Sequence, residues 1–84
     1  MSHRTVVEYW DAYNRLPAEV REHADRAFAM LKADPSHPSL KLEKVGRYWS
    51  VRVGLDHRAL AVEFGEGFVW FWIGIHAEYD RFIR

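Results

Sequence analysis

The 84-residue chain contains no cysteine, which excludes both a disulfide framework and a thiolate nucleophile. It also lacks a candidate membrane span, since its apolar run FVWFWIGI is far shorter than the roughly 20 residues that a transmembrane helix needs. The N-terminal stretch MSHRTVVEYWDAYNRLP is charged and has no long apolar segment of the kind that a signal peptide carries. We therefore expect a cytoplasmic protein that does not enter a membrane, although a lack of cysteine fits other compartments as well.

Net charge is also absent, because twelve lysine and arginine residues balance twelve acidic ones. This balance weakens any long-range attraction to nucleic acid. The charges are nevertheless unevenly distributed, and residues 36–62 carry five basic side chains against two acidic ones. A local basic patch of this kind can attract phosphate even on a neutral protein. The five residues of this basic island are Lys41, Lys44, Arg47, Arg52 and Arg58.

Proline and glycine are few, whereas the chain has four tryptophans, four tyrosines and five phenylalanines. Each large aromatic side chain buries roughly 150 to 250 Å², so these residues can build a small core without a metal or a disulfide. We predict a single domain over residues 1–84. No pair among His37, His57 and His76 has the spacing of metal ligands, so we expect no metal site and no cofactor.

The first half of the chain has a helical period. The segment TVVEYW could be a strand by propensity, but Thr5 and Glu8 have the spacing of a capping box, which favours a helix. Pro17 is placed to start a second helix, and the prolines of ADPSHPS end it. We predict a helical hairpin whose apolar residues recur at helical spacing: Val6, Tyr9, Tyr13 and Leu16, then Val20, Ala24, Ala27, Phe28 and Leu31.

The second half has the period of strands. LKLEKV alternates weakly, RYWSVRVG alternates clearly, and HRALAVEF is followed by the turn GEG. FVWFWIGI is apolar on both faces, which indicates a central strand or one that is covered on both sides. We predict an α+β fold in which the N-terminal helical hairpin packs on one face of a four-stranded, mainly antiparallel sheet. The final segment HAEYDRFIR is expected to form a short tail of one or two helical turns.

These elements and motifs resemble the RelE/ParE superfamily of type II toxin–antitoxin toxins over nearly the whole chain. LPAEVREHADRAFAML is similar to the second helix of the family, and DPSHPSLKLEKV to its loop and following strand. The densest match is to YoeB-type mRNA interferases, including the spacing of 18 positions from the family's arginine to its histidine. It is carried by Tyr48, Trp49, Ser50, Arg52, His57, Arg58 and His76.

The resemblance implies a RelE-like fold and a ribosome-dependent endoribonuclease that inhibits translation. It matches Arg58 to the arginine that contacts the scissile phosphate and His76 to the acid–base histidine. It also matches Arg52 and Lys41 to basic residues of the RNA-facing surface. Lys44 and Arg47 complete our candidate RNA-binding set within the basic island. The implied partners are a cognate antitoxin and mRNA on the ribosome.

Three departures from the family pattern concern the site and the N-terminus. The family's glutamate base would fall near Pro38, and the nearest carboxylate here is Glu43. The family's tyrosine directly follows its histidine, whereas Tyr79 comes three residues after His76. The family's opening strand is expected to be missing, because only four residues precede Thr5.

Metal-free RNA cleavage needs three groups, and the sequence offers candidates for each. Arginine suits the phosphate because its fork bonds two oxygens and stays charged, which favours Arg58. Histidine suits protonation of the leaving oxygen because its pKa lies near the working pH, which favours His76. Glu43, Tyr79 or solvent would accept the proton of the 2′-OH. Two rival hypotheses stay open: a ParE-like inhibitor of DNA gyrase, and a catalytically degenerate module that only binds a partner.

Overall fold

A five-stranded sheet organises the chain in the computed structural model, which describes residues 2–83. The strand order is β1-β5-β4-β3-β2; β1 is parallel to β5, and all other neighbours are antiparallel. The last four strands therefore form a meander, and β1 is added at its edge. The strands are β1 (Ser2–Thr5), β2 (Glu43–Val45), β3 (Tyr48–Val53), β4 (His57–Phe64) and β5 (Gly67–Ile75).

The chain opens with a strand, β1, so the predictions of a four-stranded sheet and of a missing opening strand are both wrong. Ser2 pairs with Gly67 and Thr5 pairs with Trp70, so four residues suffice to extend the sheet. His3 stacks on the ring of Trp70 and accepts a hydrogen bond from the indole Nε1 at 3.1 Å. The short strand is stabilised by its long neighbour β5. Because β5 lies between β1 and β4, the prediction of a central last strand is confirmed.

The helices are α1 (Val7–Asn14), α2 (Ala18–Ala33) and α3 (His76–Phe82), with a 3-10 helix at Pro38–Leu40. Helices α1 and α2 are consecutive, as predicted, and side chains connect them: the Tyr13 hydroxyl donates to Asp25 Oδ1 at 2.9 Å. The prediction of an N-terminal hairpin is nevertheless wrong, since β1 precedes both helices and α3 follows the sheet.

The start of α1 differs from the predicted capping box. Val6 is the N-cap, and its side chain makes no capping hydrogen bond. Thr5 belongs to β1, and its Oγ1 accepts a hydrogen bond from Trp10 Nε1 at 2.9 Å instead. Strand pairing holds Thr5 in extended geometry, so the helix begins only after the strand has ended.

The main core lies between the sheet and the helices α1 and α2. Trp70 is fully buried at its centre, and Phe28 of α2 meets it edge-on with ring centroids 5.5 Å apart. Tyr9 of α1 packs edge-on against Phe28 at the same distance. Full burial of a phenylalanine side chain such as Phe68 in this core typically stabilises the fold by about 1.5–3 kcal/mol. The other buried residues of this core are Ala24, Leu31, Leu40, Val51, Val53, Ala59, Ala61 and Ile73.

Helix α3 covers part of the opposite sheet face, and its seven residues confirm the predicted helical tail. Phe82 packs on Trp72 with ring centroids 4.9 Å apart, and Tyr79 is buried. Beyond α3 the same face exposes apolar surface, with Phe71 half-buried and Phe64 exposed. Across residues 2–83, none of the helices has both the length and the apolarity needed to cross a membrane.

Candidate functional site

Arg58 is a nearly buried charge at the start of β4, with 9% of its surface exposed. Its neighbour Ala59 belongs to the core under α1 and α2, so strand alternation directs Arg58 to the opposite sheet face. In the sheet register Arg58 stands beside Arg52 on β3 and Gly74 on β5. The arginine therefore lies on the side of the sheet that α3 covers.

The guanidinium of Arg58 is held by three neighbours from β2, β3 and the loop before them. Its Nε donates to the Ser50 hydroxyl at 2.5 Å, and its Nη2 donates to the Lys41 carbonyl at 3.2 Å. The same Nη2 lies 3.5 Å from Glu43 Oε1. Lys41 closes the 3-10 helix with φ 45°, a left-handed conformation that is uncommon outside glycine.

Tyr79 connects Arg58 to His76. The Arg58 Cζ lies 5.2 Å from the centroid of the Tyr79 ring, which is a cation–π contact. The imidazole of His76 stacks on Tyr79 with centroids 5.4 Å apart and planes inclined by 20°. The His76 backbone N–H donates to the Asp56 carbonyl at 2.8 Å, which attaches the start of α3 to the turn before β4. Asp80, one turn further along α3, has its carboxylate 3.8 Å from His76 Nε2.

One guanidinium nitrogen of Arg58 is available to bond a ligand. Every fully buried side-chain nitrogen or oxygen in residues 2–83 has a hydrogen-bond partner. Within residues 2–83 the hydrogen bonds of Arg58 use Nε and Nη2, which leaves Nη1 for a further acceptor. Glu43 is more than half exposed, so water weakens its ion pair with Arg58. An incoming phosphate can therefore bond Nη1 and compete with Glu43 for Nη2.

The four candidate catalytic residues come together in space. We call Arg58, Glu43, Tyr79, His76 and the supporting Ser50 the Arg58 cluster. The family's base position falls near Pro38, five residues before Glu43, and the pairing of β2 with β3 brings Glu43 to Arg58. Tyr79 is displaced by two positions from the family pattern, and the first turn of α3 stacks it on His76.

The candidate RNA-binding residues do not share one surface. Arg47 packs on its neighbour Tyr48 with Cζ 5.2 Å from the ring, on the same sheet face as Arg58. Lys44 pairs with Trp49 in the register, which places it on the opposite face, and its Nζ lies 3.7 Å from Glu63. Arg52 bonds the Gly54 carbonyl at 2.9 Å through Nε. Lys41 is exposed and contributes its carbonyl to Arg58. The basic island is thus divided by strand alternation.

Ser50 is the member of the cluster to which sequence reasoning gave no role. It is completely buried, and its hydroxyl accepts the hydrogen bond that orients Arg58. The available signal was a small polar residue flanked by apolar ones in a clearly alternating strand. Such a position predicts a buried hydroxyl that needs a partner, and Arg58 is the partner.

Substitution of Ser50 by alanine is expected to release the Nε–H of Arg58. A hydrogen bond to a charged group contributes about 1.5–3 kcal/mol, so exchange of this proton with water should accelerate at least about tenfold. Nitrogen-15 spectra of the arginine Nε–H groups measure this rate for each arginine separately. The Nε–H of Arg52, which bonds Gly54, is the internal control and should not change. Equal protection of Arg58 in both proteins would contradict the orienting role of Ser50.

The described histidine, aspartate and glutamate side chains form no group of three or more that could hold a metal ion. The arrangement offers instead a fixed arginine, an exposed carboxylate and an exposed imidazole on one surface. Such a set can neutralise an anion and move protons on either side of it.

Comparison with solved structures identifies the architecture. A YoeB/ParE toxin from Agrobacterium tumefaciens is 22% identical, with a TM-score of 0.69 over 90% of this chain and 99% of its own. The RelB–RelE antitoxin–toxin complex from Methanococcus jannaschii gives a TM-score of 0.74 at 12% identity, over 96% and 99% of the two chains. The chain has the RelE/ParE toxin fold. YafQ from E. coli agrees, with a TM-score of 0.71 at 11% identity over 93% and 96% of the chains.

Sequence comparison alone does not reach this assignment. No protein-family model matches the chain, and no curated protein matches it. The RelE/ParE fold is therefore established by shape at low identity, which agrees with the resemblance that the motifs indicate. Within this fold, the Arg58 cluster lies between the sheet and α3, on the face away from α1 and α2.

Proposed function

We propose that this chain is the toxin of a type II toxin–antitoxin system and that it cleaves mRNA on the ribosome. The observation that supports the proposal is the contact of one buried arginine with a carboxylate and, through Tyr79, with an imidazole. Arg58 lies 3.5 Å from Glu43, and Tyr79 touches both Arg58 and His76. These are the groups that an attack of the 2′-OH on its own phosphate requires.

Arg58 carries the electrostatic part of the mechanism. As the 2′-oxygen attacks, negative charge grows on the non-bridging oxygens of the phosphate. Nη1 and Nη2 of Arg58 would bond two of these oxygens, because a guanidinium fork matches the geometry of phosphate. Ser50 and the Lys41 carbonyl already fix the orientation of the guanidinium, so little reorganisation is needed when the charge develops. No metal ion is required for this step.

Two proton transfers complete the cleavage. Glu43 takes the proton of the 2′-OH, the 2′-oxygen bonds phosphorus, and a 2′,3′-cyclic phosphate forms. Protonated His76 gives its proton to the departing 5′-oxygen. His76 and Glu43 are both more than half exposed, so substrate can reach them, whereas Tyr79 is buried and acts by positioning its neighbours. The ribosome would supply the remaining order by holding the RNA in an attacking geometry.

An antitoxin and a cytoplasmic location belong to the same proposal. The Methanococcus jannaschii relative is a toxin in complex with its antitoxin, and we propose that this chain binds a cognate antitoxin as well. Its substrate would be mRNA in translation, which places it in the cytoplasm. No small-molecule cofactor enters the mechanism.

The test is induced expression in cells that lack the antitoxin. We expect the wild-type chain to arrest growth and to create new mRNA 5′ ends, because the Arg58 cluster is complete. The double variant Arg58→Ala/His76→Ala should do neither. A control variant, Arg21→Ala, removes an arginine of α2, on the other side of the sheet from the Arg58 cluster, and should behave as the wild type.

Each other outcome contradicts part of the proposal. Growth arrest without new mRNA ends would exclude mRNA cleavage and favour inhibition of DNA gyrase. A folded wild-type chain that neither arrests growth nor creates ends would favour a partner-binding module. New ends that persist in the double variant would place the chemistry outside the Arg58 cluster.

A further inference from the structure

A groove lies between α2 and the turn that joins β3 to β4. Its volume is about 390 Å³, within the range of about 300–1,000 Å³ that is usual for ligand pockets. Helix α2, the 3-10 helix and the β3–β4 turn form its walls. The residues that line it are His23, Arg26, Ala27, Met30, Ser39, Leu40, Arg52, Gly54 and Leu55, and we call it the α2 groove.

The charge of the α2 groove is of one sign. His23 and Arg26 come from α2 and Arg52 from β3, and no aspartate or glutamate is among the described residues of the lining. Arg26 Nη2 lies 2.9 Å from His23 Nδ1. A guanidinium can only donate, so Nδ1 accepts and the ring proton sits on Nε2, where it is a further donor. Phosphate is an anion that such a set of donors binds.

Arg52 links the groove to the Arg58 cluster. The two arginines are paired directly across β3 and β4, so their Cα atoms are about 5 Å apart and their side chains leave the same sheet face. Their guanidinium groups then diverge. Arg58 turns to Ser50, whereas Arg52 bonds the Gly54 carbonyl and lines the α2 groove. A strand of RNA with one phosphate at Arg58 would therefore have its neighbouring phosphate near Arg52.

The floor of the α2 groove is apolar and suits a base or a ribose. Ala27, Met30 and Leu40 lie beneath the basic residues, and Leu55 stands at the rim with 85% of its surface exposed. A large apolar side chain in an exposed turn is poorly placed for stability, but it can cover a bound base. Methionine adapts its shape to irregular partners. Basic walls above an apolar floor match one nucleotide, whose phosphate is charged and whose base is flat and weakly polar.

We propose that the α2 groove binds the mRNA nucleotide next to the cleaved bond, with its phosphate on Arg26 and Arg52 and its base against Met30 and Leu55. This inference rests on the proposed function and adds a subsite to it. The groove would set the path of the RNA across the sheet edge and align the scissile phosphate with Arg58.

The test compares two single-charge removals on the same helix. Arg26→Gln removes a charge from the α2 groove, and Lys32→Gln removes one from another side of α2, beside His3 and Asp25. The probe is a fluorescein-labelled single-stranded octaribonucleotide with 2′-O-methyl groups, which block cleavage. We expect Arg26→Gln to weaken binding about fivefold to tenfold and to reduce the slope of log K against log salt by about 0.7, while Lys32→Gln changes neither.

Leu55→Ser tests the apolar contact, because it should weaken binding without changing the salt slope. Equal weakening by Arg26→Gln and Lys32→Gln would overturn the inference, since it would indicate attraction without a site. An unchanged affinity in Arg26→Gln would also overturn it. Weaker sedimentation of Arg26→Gln with mRNA-free ribosomes, at an unchanged oligonucleotide affinity, would assign the phosphate to ribosomal RNA and exclude the mRNA nucleotide.

A cleavage assay on mRNA-programmed ribosomes separates this inference from the proposed function. If the wild type cleaves, Arg26→Gln should raise KM about fivefold with little change in kcat. Equal KM values for Arg26→Gln and Lys32→Gln would overturn the subsite and leave the function standing. If the wild type does not cleave but the oligonucleotide affinity depends on Arg26 and not on Lys32, the function fails and the nucleotide site stands.

Discussion

Replacement of Arg58 by lysine is expected to slow mRNA cleavage by about 10²- to 10³-fold, the usual cost of removing one aligned donor from a site that stabilises developing charge. Lysine keeps the positive charge but loses the planar fork. It cannot bond the Ser50 hydroxyl, the Lys41 carbonyl and two phosphate oxygens at the same time, as the geometry of Arg58 permits. Single-turnover cleavage of mRNA on programmed ribosomes measures the change.

The matched control for this substitution is Arg21→Lys. Arg21 lies on α2, and its Nη1 donates to the Leu16 carbonyl at 3.1 Å, so its replacement should change the rate less than about threefold, as expected for a side chain that holds no reacting group. A loss of less than about tenfold in Arg58→Lys would show that charge alone matters at this position. That result would contradict the oriented-guanidinium mechanism while leaving RNA cleavage itself in place.

Substitution of Trp70 by alanine is expected to reduce the free energy of unfolding by about 3–5 kcal/mol. Trp70 is fully buried, packs against Phe28 and Phe68, and donates its indole N–H to His3. The change removes these contacts, leaves a cavity and deprives β1 of its side-chain partner. A domain of this size has a total stability of only about 5–15 kcal/mol, so the substitution removes a large share of it.

Urea or thermal unfolding followed by circular dichroism measures the loss. A difference of 3–5 kcal/mol corresponds to a Tm lower by roughly 12–40 °C for a small domain. Phe64→Ala is the control, because Phe64 is 75% exposed and its loss should change stability by less than about 0.5 kcal/mol. A Tm within a few degrees of the wild type in Trp70→Ala would contradict the central place of Trp70 in the core.

The helices and the central strands could be predicted because their signals are local. Pro17 and the prolines after α2 indicate where this helix begins and ends, and alternation within RYWSVRVG indicates β3. The apolar run of β5 indicated a central strand, which the structure confirms with β1 and β4 as its neighbours. In each case the periodic pattern of apolar residues lies within a few positions of the chain.

Strand β1 could not be predicted, since its stability comes from a distant partner. Ser2–Thr5 has no periodic pattern of its own, and its register with β5 depends on residues 65 positions away. The same pairing delays the start of α1 and takes Thr5 out of the predicted capping box. Local propensity does not contain the energy of a parallel strand pair that forms only in the folded chain.

The candidate site likewise has features that the sequence predicted and features that only the folded structure shows. Sequence by itself determined the residue types that the chemistry needs, the basic island, and the spacing from Arg58 to His76. Only the tertiary structure decided which of them meet. The β2–β3 register brings Glu43 to Arg58 and turns Lys44 to the other face, and burial makes Ser50 the support of the guanidinium. The physical reason is that the alternation of side chains between the two faces of a strand is a local property of the sequence. The partner that each side chain meets is set instead by strand pairing between distant segments.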